Sequence, residues 1–286
     1  MRQEKKPISL TINNFMTNFI YINGQYFKSD DAKISFDDGG FQRGNAIFET
    51  IRFKDDKLFD IDSHLDRLRK GLNYLEFKID KTNDQLVGLI LETIKKNNLN
   101  YGAVNLMVSN NFDINNLFDS KTNLYISVRS ISSINHKLVK IIFLNEWEFP
   151  IVRFNNPIKI NSYAGNIKAL KLAKKEGAFD AVFLNKNKEI TETTMRNIFF
   201  VKNNKIFTPP LSSGILPGTT RNLIIKLCKE HGYDCSEKII KFSQLNSMDE
   251  SFLSSSAYGI IPCYWNSWNN KNLISQKLKN ILDQFY

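Results

Sequence analysis

Five lysines, Lys159, Lys168, Lys171, Lys174 and Lys175, fall within the stretch "NPIKINSYAGNIKALKLAKKEGAFDAVFLN". Ser162 as an N-cap and Gly177 as a stop predict a helix over residues 163–176. On that helix Tyr163, Ile167, Ala169, Leu170 and Ala173 form a broad apolar side. Lys168, Lys171 and Lys175 follow i, i+3, i+7 spacing and share a wet face, with Lys174 near its edge. Lys159 differs. It precedes the helix, between Ile158 and Ile160, where an amine would sit close to a core. A lysine there either snorkels to water from a strand edge or is kept short of water and acts as a nucleophile. On the lysine alone both readings stay open.

A second chemistry is written in "LPGTTR". Gly218 permits a tight turn, and Thr219 and Thr220 present N–H and hydroxyl donors where a helix starts, which is an anion site by geometry and dipole. Arg67, in "HLDRL", flanks the stripe Leu65, Leu68, Leu72 and Leu75, so it lies under the protein and its planar fork is suited to phosphate oxygens. Arg69 and Lys70 lie elsewhere around that helix and read as solvated. "SSSAYG" adds hydroxyls, or is only a polar loop. His64, His136 and His231 have bland readings, as capping, packing, loop or helix-end residues.

These groups need elements to hold them. "FIYINGQYF" predicts a hairpin about Asn-Gly. "AIFETIRFKDDKLFDI" predicts a second hairpin, followed by the leucine-striped helix and another helix over about 82–97. "NLYISVRSI" closes a strand-rich first half, and the pattern relaxes near 133–137. The second half opens on the strand "LVKIIFL", passes through the lysine-bearing helix, and continues as a meander, "DAVFLNKNKEITETTMRNIFFVKNNKIFTPP". A helix opening at "LPGTTR" follows. The expected organisation is an arm (1–18), a small α/β domain (19–132), a connector (133–137) and a larger α/β domain (138–286) carrying Lys159, in a mixed α/β class.

Composition narrows the partners. The 286 residues hold 39 basic and 29 acidic side chains, a net charge of +10. That surface attracts anions. The basic residues are scattered, without zinc spacing, an aromatic RNA-recognition pattern or a dense basic run, so nucleic acid is not the expected partner. Three cysteines, with no CxxC, and three scattered histidines point to a reducing compartment and to no metal. The N-terminal stretch lacks a long apolar core and nothing reaches membrane-spanning length. A cytoplasmic protein is expected.

In order along the chain, "HLDRL", "KINSYAGNIKALKLAKKEGAFDAVFLN", "EITETTMRNIFFV" and "GILPGTTR" resemble the class IV pyridoxal-phosphate aminotransferases, over nearly the whole chain. That family includes branched-chain aminotransferases, D-amino acid aminotransferases and aminodeoxychorismate lyases. The resemblance implies a two-domain fold of type IV, with pyridoxal 5'-phosphate between the lobes. It also implies a homodimer whose pockets are completed by a partner loop. Lys159 falls at the family's lysine, which joins the cofactor aldehyde and later shuttles a proton. Glu192 matches the glutamate that holds a proton on the ring nitrogen, and Asn197 belongs to the same shell. Tyr163 resembles the hydroxyl near the cofactor's phenolic oxygen. Arg67, Gly218, Thr219, Thr220 and, by family position, Ser256 would hold the phosphate.

For the substrate, Arg43 in "FQRGNAIFET" either attracts a carboxylate or points to solvent or a neighbouring subunit, and Phe48 would form an apolar wall. The strand "YGAVNLMVSNN" departs from its relatives. Asn105 and then Ser109, Asn110 and Asn111 replace the arginine-containing pairs that branched-chain enzymes, D-enzymes and lyases often carry. Three functions are therefore weighed. One is an aminotransferase acting on a branched-chain or other aliphatic amino acid and a 2-oxo acid such as 2-oxoglutarate. Another is a different activity of the same family, a lyase making 4-aminobenzoate and pyruvate or a D-amino acid aminotransferase, and the last is a non-catalytic basic binding protein.

Overall fold

The computed structural model describes residues 19–285 except 114, 116–120, 133–137, 156, 267, 269 and 270. The expected arm (1–18) and connector (133–137) lie outside the described residues. Strands β1 (Phe19–Ile22) and β2 (Gln25–Lys28) form the first hairpin, turned by Asn23 and Gly24, both at positive φ. A short helix α1 (Gly39–Arg43) precedes β3 (Ala46–Lys54) and β4 (Lys57–Leu58), the second hairpin. Helices α2 (Ile61–Tyr74) and α3 (Asn83–Lys96) follow, the latter opened by the Thr82–Gln85 capping box. Strands β5 (Tyr101–Asn110) and β6 (Thr122–Ser130) complete an antiparallel sheet of order β2-β1-β6-β5-β3-β4.

The alternation in β3 decides which side chains face where. Ile47, Ile51 and Phe53 enter a core with Leu65, Leu68 and Leu72 of α2, whereas Phe48, Thr50 and Arg52 take the opposite face. Glu49 lies on the core row and is fully buried. A charged residue in that row must find partners or neutralise.

The second sheet is mixed. Strands β7 (Val139–Asn145), β8 (Asp180–Leu184), β9 (Ile190–Thr193), β10 (Asn197–Lys202), β11 (Lys205–Thr208), β12 (Cys235–Glu237), β13 (Glu250–Ser255) and β14 (Gly259–Tyr264) lie in the order β12-β11-β10-β13-β14-β7-β8-β9. Three pairs are parallel: β7 with β8, β7 with β14, and β11 with β12. Two of these are joined through helices, α4 (Ala164–Lys175) between β7 and β8, and α5 (Thr219–Glu230) between β11 and β12. A parallel pair requires such a crossover. The apolar run of β10 is buried on both faces: Ile198 and Phe200 enter one core, Phe199 and Val201 another shared with α5 and α6 (Leu273–Asp283).

Lys159 and Gly218 both occupy loops that leave the carboxyl ends of strands and lead into these crossover helices, the usual place for a site in an α/β layer. The Lys159 loop is also pinned to the first sheet. Phe48 N–H donates to Lys159 O (2.9 Å), Asn161 N–H donates to Ala46 O (2.9 Å), and Ile160 bridges Ile47. A segment expected to belong to the larger domain thus pairs its backbone with a strand of the smaller one. Helix α4 starts one residue later than expected, with Tyr163 at its N-cap and no side-chain cap from Ser162. Ile167, expected on its apolar side, is exposed, whereas Ala169 and Ala173 of that side are buried as expected, together with Gly165. Small residues bring this helix close to its neighbours: a Cβ on Gly165 would meet Pro150 O at 2.5 Å. Lys168, Lys171, Lys174 and Lys175 are all exposed, and Lys159 is half-buried.

Candidate active site

A cavity of about 260 Å³ opens between the two sheets. Lys159, Arg67, Tyr163, Glu192 and Asn197 line it, together with Gly218, Thr219, Thr220, Ser256 and Phe48. The sequence placed these residues in one site although they come from both halves of the chain. Arg43 and Asn105 do not line it. Arg43 is exposed, with its guanidinium 5.2 Å from the centre of the Phe112 ring. Asn105 stands on the cavity-side face of β5, paired with Thr50, and its Oδ1 is buried without a partner.

Lys159 Nζ donates to Tyr163 Oη (3.2 Å) and lies 4.2 Å from the centre of the Phe48 ring, which meets the Tyr163 ring edge-on at 5.5 Å. Two aromatic faces and one hydroxyl hold the amine at the cavity wall.

Glu192 sits at the end of β9. One of its oxygens pairs with Arg153; the other accepts from Leu216 N–H (3.1 Å) and Asn197 Nδ2 (3.4 Å). Arg153 is in turn bonded to Glu146 (3.3 Å) and Thr191 Oγ1 (3.3 Å). Burial pushes the Glu192 carboxyl above the usual carboxylate range, against the pull of Arg153. The side chain is thus a fixed, poorly hydrated carboxyl group on the wall that also carries Lys159.

The anion end departs from expectation in one respect. Arg67 was expected to grip phosphate oxygens with two donors. Its fork is instead closed on Glu49, Nε to Oε1 (2.8 Å) and Nη2 to Oε2 (2.6 Å), and Nη1 donates to Pro217 O (3.0 Å). A bidentate grip on a second anion by the same edge is excluded while Glu49 is there. Burial alone would raise the Glu49 carboxyl, but the Arg67 charge beside it prevails and lowers it to about 2.

Glu49 and His64 were missed as parts of this site. His64 Nδ1 lies 2.6 Å from Glu49 Oε2, and its Nε2 lies 3.2 Å from Thr219 Oγ1, which is 3.1 Å from Ser256 Oγ. His64, expected only to cap or pack, is therefore a buried link between strand β3 and the mouth of α5. The signal for Glu49 was present in the alternation of β3, as an acid on the core row. Arg153, in an irregular loop without periodicity, left no comparable signal.

The donor set fits the phosphate and ring of pyridoxal 5'-phosphate. Helix α5 begins at Gly218 without a side-chain cap, leaving first-turn N–H groups for an anion. Ser254 Oγ and Ser255 Oγ, also on the cavity wall, are buried without partners. A Cβ on Gly218 would stand 2.1 Å from Asn197 Oδ1, so only glycine allows this approach.

The amino-transferase class IV profile matches residues 46–264. A protein of Methanocaldococcus jannaschii, provisionally named a branched-chain-amino-acid aminotransferase, is 31% identical over 91% of this chain and 93% of its own length. The aminodeoxychorismate lyase of Bacillus subtilis is 27% identical over 85% of each chain. Among solved structures, the branched-chain amino acid aminotransferase of Escherichia coli superposes with a TM-score of 0.84 at 23% identity, covering 94% of both chains. That likeness shows the shared fold.

Proposed function

The chain belongs to the class IV aminotransferases, a family of pyridoxal-phosphate enzymes, and from that premise we propose that it transfers an amino group between an amino acid and a 2-oxo acid. Branched-chain or other aliphatic amino acids are the first donors to test, with 2-oxoglutarate as acceptor. The observation that carries this reading is the meeting of Lys159, Glu192 and the α5 N-terminus in one cavity. The cofactor, when bound, supplies an aldehyde and an electron-withdrawing ring.

The residues divide that work. Lys159 Nζ, steadied by Tyr163 Oη, is the group proposed to join the aldehyde and to move a proton at the substrate α-carbon. Glu192 would hold a proton at the ring nitrogen. Thr219, Thr220 and Ser256, with the α5 N–H groups, would bind the phosphate, and Arg67 would contribute charge from behind as Glu49 orients it. Phe48 would exclude water from the amine.

The likeness to the Bacillus subtilis enzyme favours a second reading, a lyase that releases pyruvate from aminodeoxychorismate. A panel of single amino acids added to the yellow holoprotein separates the two. The aminotransferase loses its visible absorbance with its own donor and recovers it with a 2-oxo acid. The lyase makes pyruvate from aminodeoxychorismate without any 2-oxo acid.

A homodimer in a reducing cytoplasm completes the proposal. Phe36 and Phe41, packed edge to face at 6.0 Å, are both exposed, and so is Tyr74, stacked on Phe154. Such apolar pairs suit a subunit interface. Cys228 and Cys235 are free thiols, and the Cys263 thiol is buried and donates to Ser251 Oγ (3.3 Å). No helix among the described residues is long and apolar enough to cross a membrane.

A further inference from the structure

The chemistry proposed for the cavity uses no sulfur, yet two of the three cysteines are brought together away from it. Cys228 lies in the last turn of α5, and Cys235 opens β12, the edge strand beside β11. The turn between them, with Gly232 at positive φ, folds back so that Tyr233 N–H donates to Cys228 O (2.8 Å). Ile206 N–H donates to Asp234 O (2.8 Å), and Cys235 then pairs with Ile206. Both cysteine side chains pack in the apolar cluster that holds Ile206, Ile224 and Leu227. The Cys228 thiol donates its hydrogen bond to Cys235 Sγ.

The two thiols are not equivalent. Cys228 is fully buried, whereas Cys235 is half-buried. The hydrogen bond from Cys228 outweighs burial and, with the charge of Arg221, holds the Cys235 thiol below its ordinary range. Arg221 is itself fixed to β12 by Glu237. A partly accessible, readily ionised thiol beside a second thiol is the arrangement of a reversible redox site.

We propose that Cys228 and Cys235 form a peroxide-sensitive dithiol that closes to an internal disulfide. The Cys235 thiolate attacks one oxygen of hydrogen peroxide, the O–O bond breaks, and the departing oxygen takes up a proton and leaves as water. The Cys228 sulfur then attacks the sulfenic sulfur of Cys235. The S–O bond breaks, and the Cys228 proton leaves with that oxygen as a second water. Two thiols lose two electrons, and one peroxide becomes two waters. The bond ties the end of α5 to β12 and stops oxidation at a stage that a small dithiol reverses by exchange. Thr219, at the other end of the helix, is about 14 Å away along its axis, so the bond closes without entering the cavity.

The test is peroxide treatment of the holoprotein followed by trypsin digestion without reductant. Lys229 lies between the two cysteines, so their peptides separate unless the sulfurs are joined. The expected result is a joined pair of peptides lighter by about 2 Da, the two thiol hydrogens. Dithiothreitol should restore the separate peptides, and the denatured chain should stay monomeric throughout. Cys235→Ser should abolish the link. Cys228→Ala should leave a sulfenic acid on Cys235, trapped by dimedone in several-fold greater yield than in the wild type. Oxygen addition at Cys235 without the link, a link through Cys263, a sulfur bridge between two chains, or two unreacted thiols would each overturn the proposal. The wild-type peptide map decides the matter even where a variant does not fold.

Discussion

Glu49 and Arg67 show at the level of single residues how a buried charge is made useful. Neither belongs in a core alone, and together they form a bidentate pair that fixes the guanidinium behind the anion site. Because the Glu49 carboxyl is lowered to about 2 in the folded protein, its stabilising contribution is complete above the ordinary carboxylate range. That contribution is lost as pH falls from about 5 toward 2. Glu49→Gln should cost about 3 kcal/mol at neutral pH by leaving Arg67 without its partner, and should flatten the acid limb of stability, read by urea unfolding at pH 7 and pH 3. Arg153 acts on Glu192 in the opposite sense to burial. In Arg153→Met the Glu192 carboxyl rises further and ionises only at higher pH. Amino transfer should fall on the acid side of the rate profile, and the acid limb should move to higher pH. An unmoved limb would separate Arg153 from the chemistry.

Two crossover loops carry the site at the level of elements, and they differ in how plainly the sequence announced them. The α5 turn was legible because Gly218, Thr219 and Thr220 of "LPGTTR" each have a local reason: a glycine that permits a tight turn, then N–H and hydroxyl donors at a helix start. The Lys159 loop was legible through its contrast with four lysines in helical register, and all four are exposed. Its docking onto β3 was not, because backbone pairing between residues about 110 apart leaves no periodic trace. The Glu49–His64–Thr219 chain joins β3, α2 and α5, and the local reading of His64 stopped at its own helix. Arg153 and Glu192 likewise become partners only when an irregular loop folds onto β9. Gly218→Ala tests the α5 turn. Its Cβ would overlap Asn197 Oδ1, and such overpacking costs about 1–3 kcal/mol. Cofactor affinity, followed by the absorbance of the titrated apoprotein, should drop about tenfold or more, and unaltered affinity would contradict the role given to this turn.

The described residues form two sheets with one cavity between them, and two strand-rich stretches with helices between them were visible in the sequence. What the sequence did not reveal is that the smaller sheet contributes charge as well as walls: Arg129, on β6, lines the cavity. The exposed aromatic pairs belong to this scale too. Sedimentation equilibrium should give twice the chain mass, and Phe36→Ser with Phe41→Ser should shift the protein toward monomer. A wild-type monomer would remove the dimer from the account.

The central claim is that Lys159 is the amine joined to the cofactor. The direct measurement is borohydride reduction of the yellow holoprotein followed by peptide mass mapping. The account predicts a cofactor-sized mass fixed on the peptide containing Lys159, no fixed mass in Lys159→Ala, and loss of turnover in that variant with the fold retained. Fixation on a different lysine, or full turnover by Lys159→Ala, would contradict it.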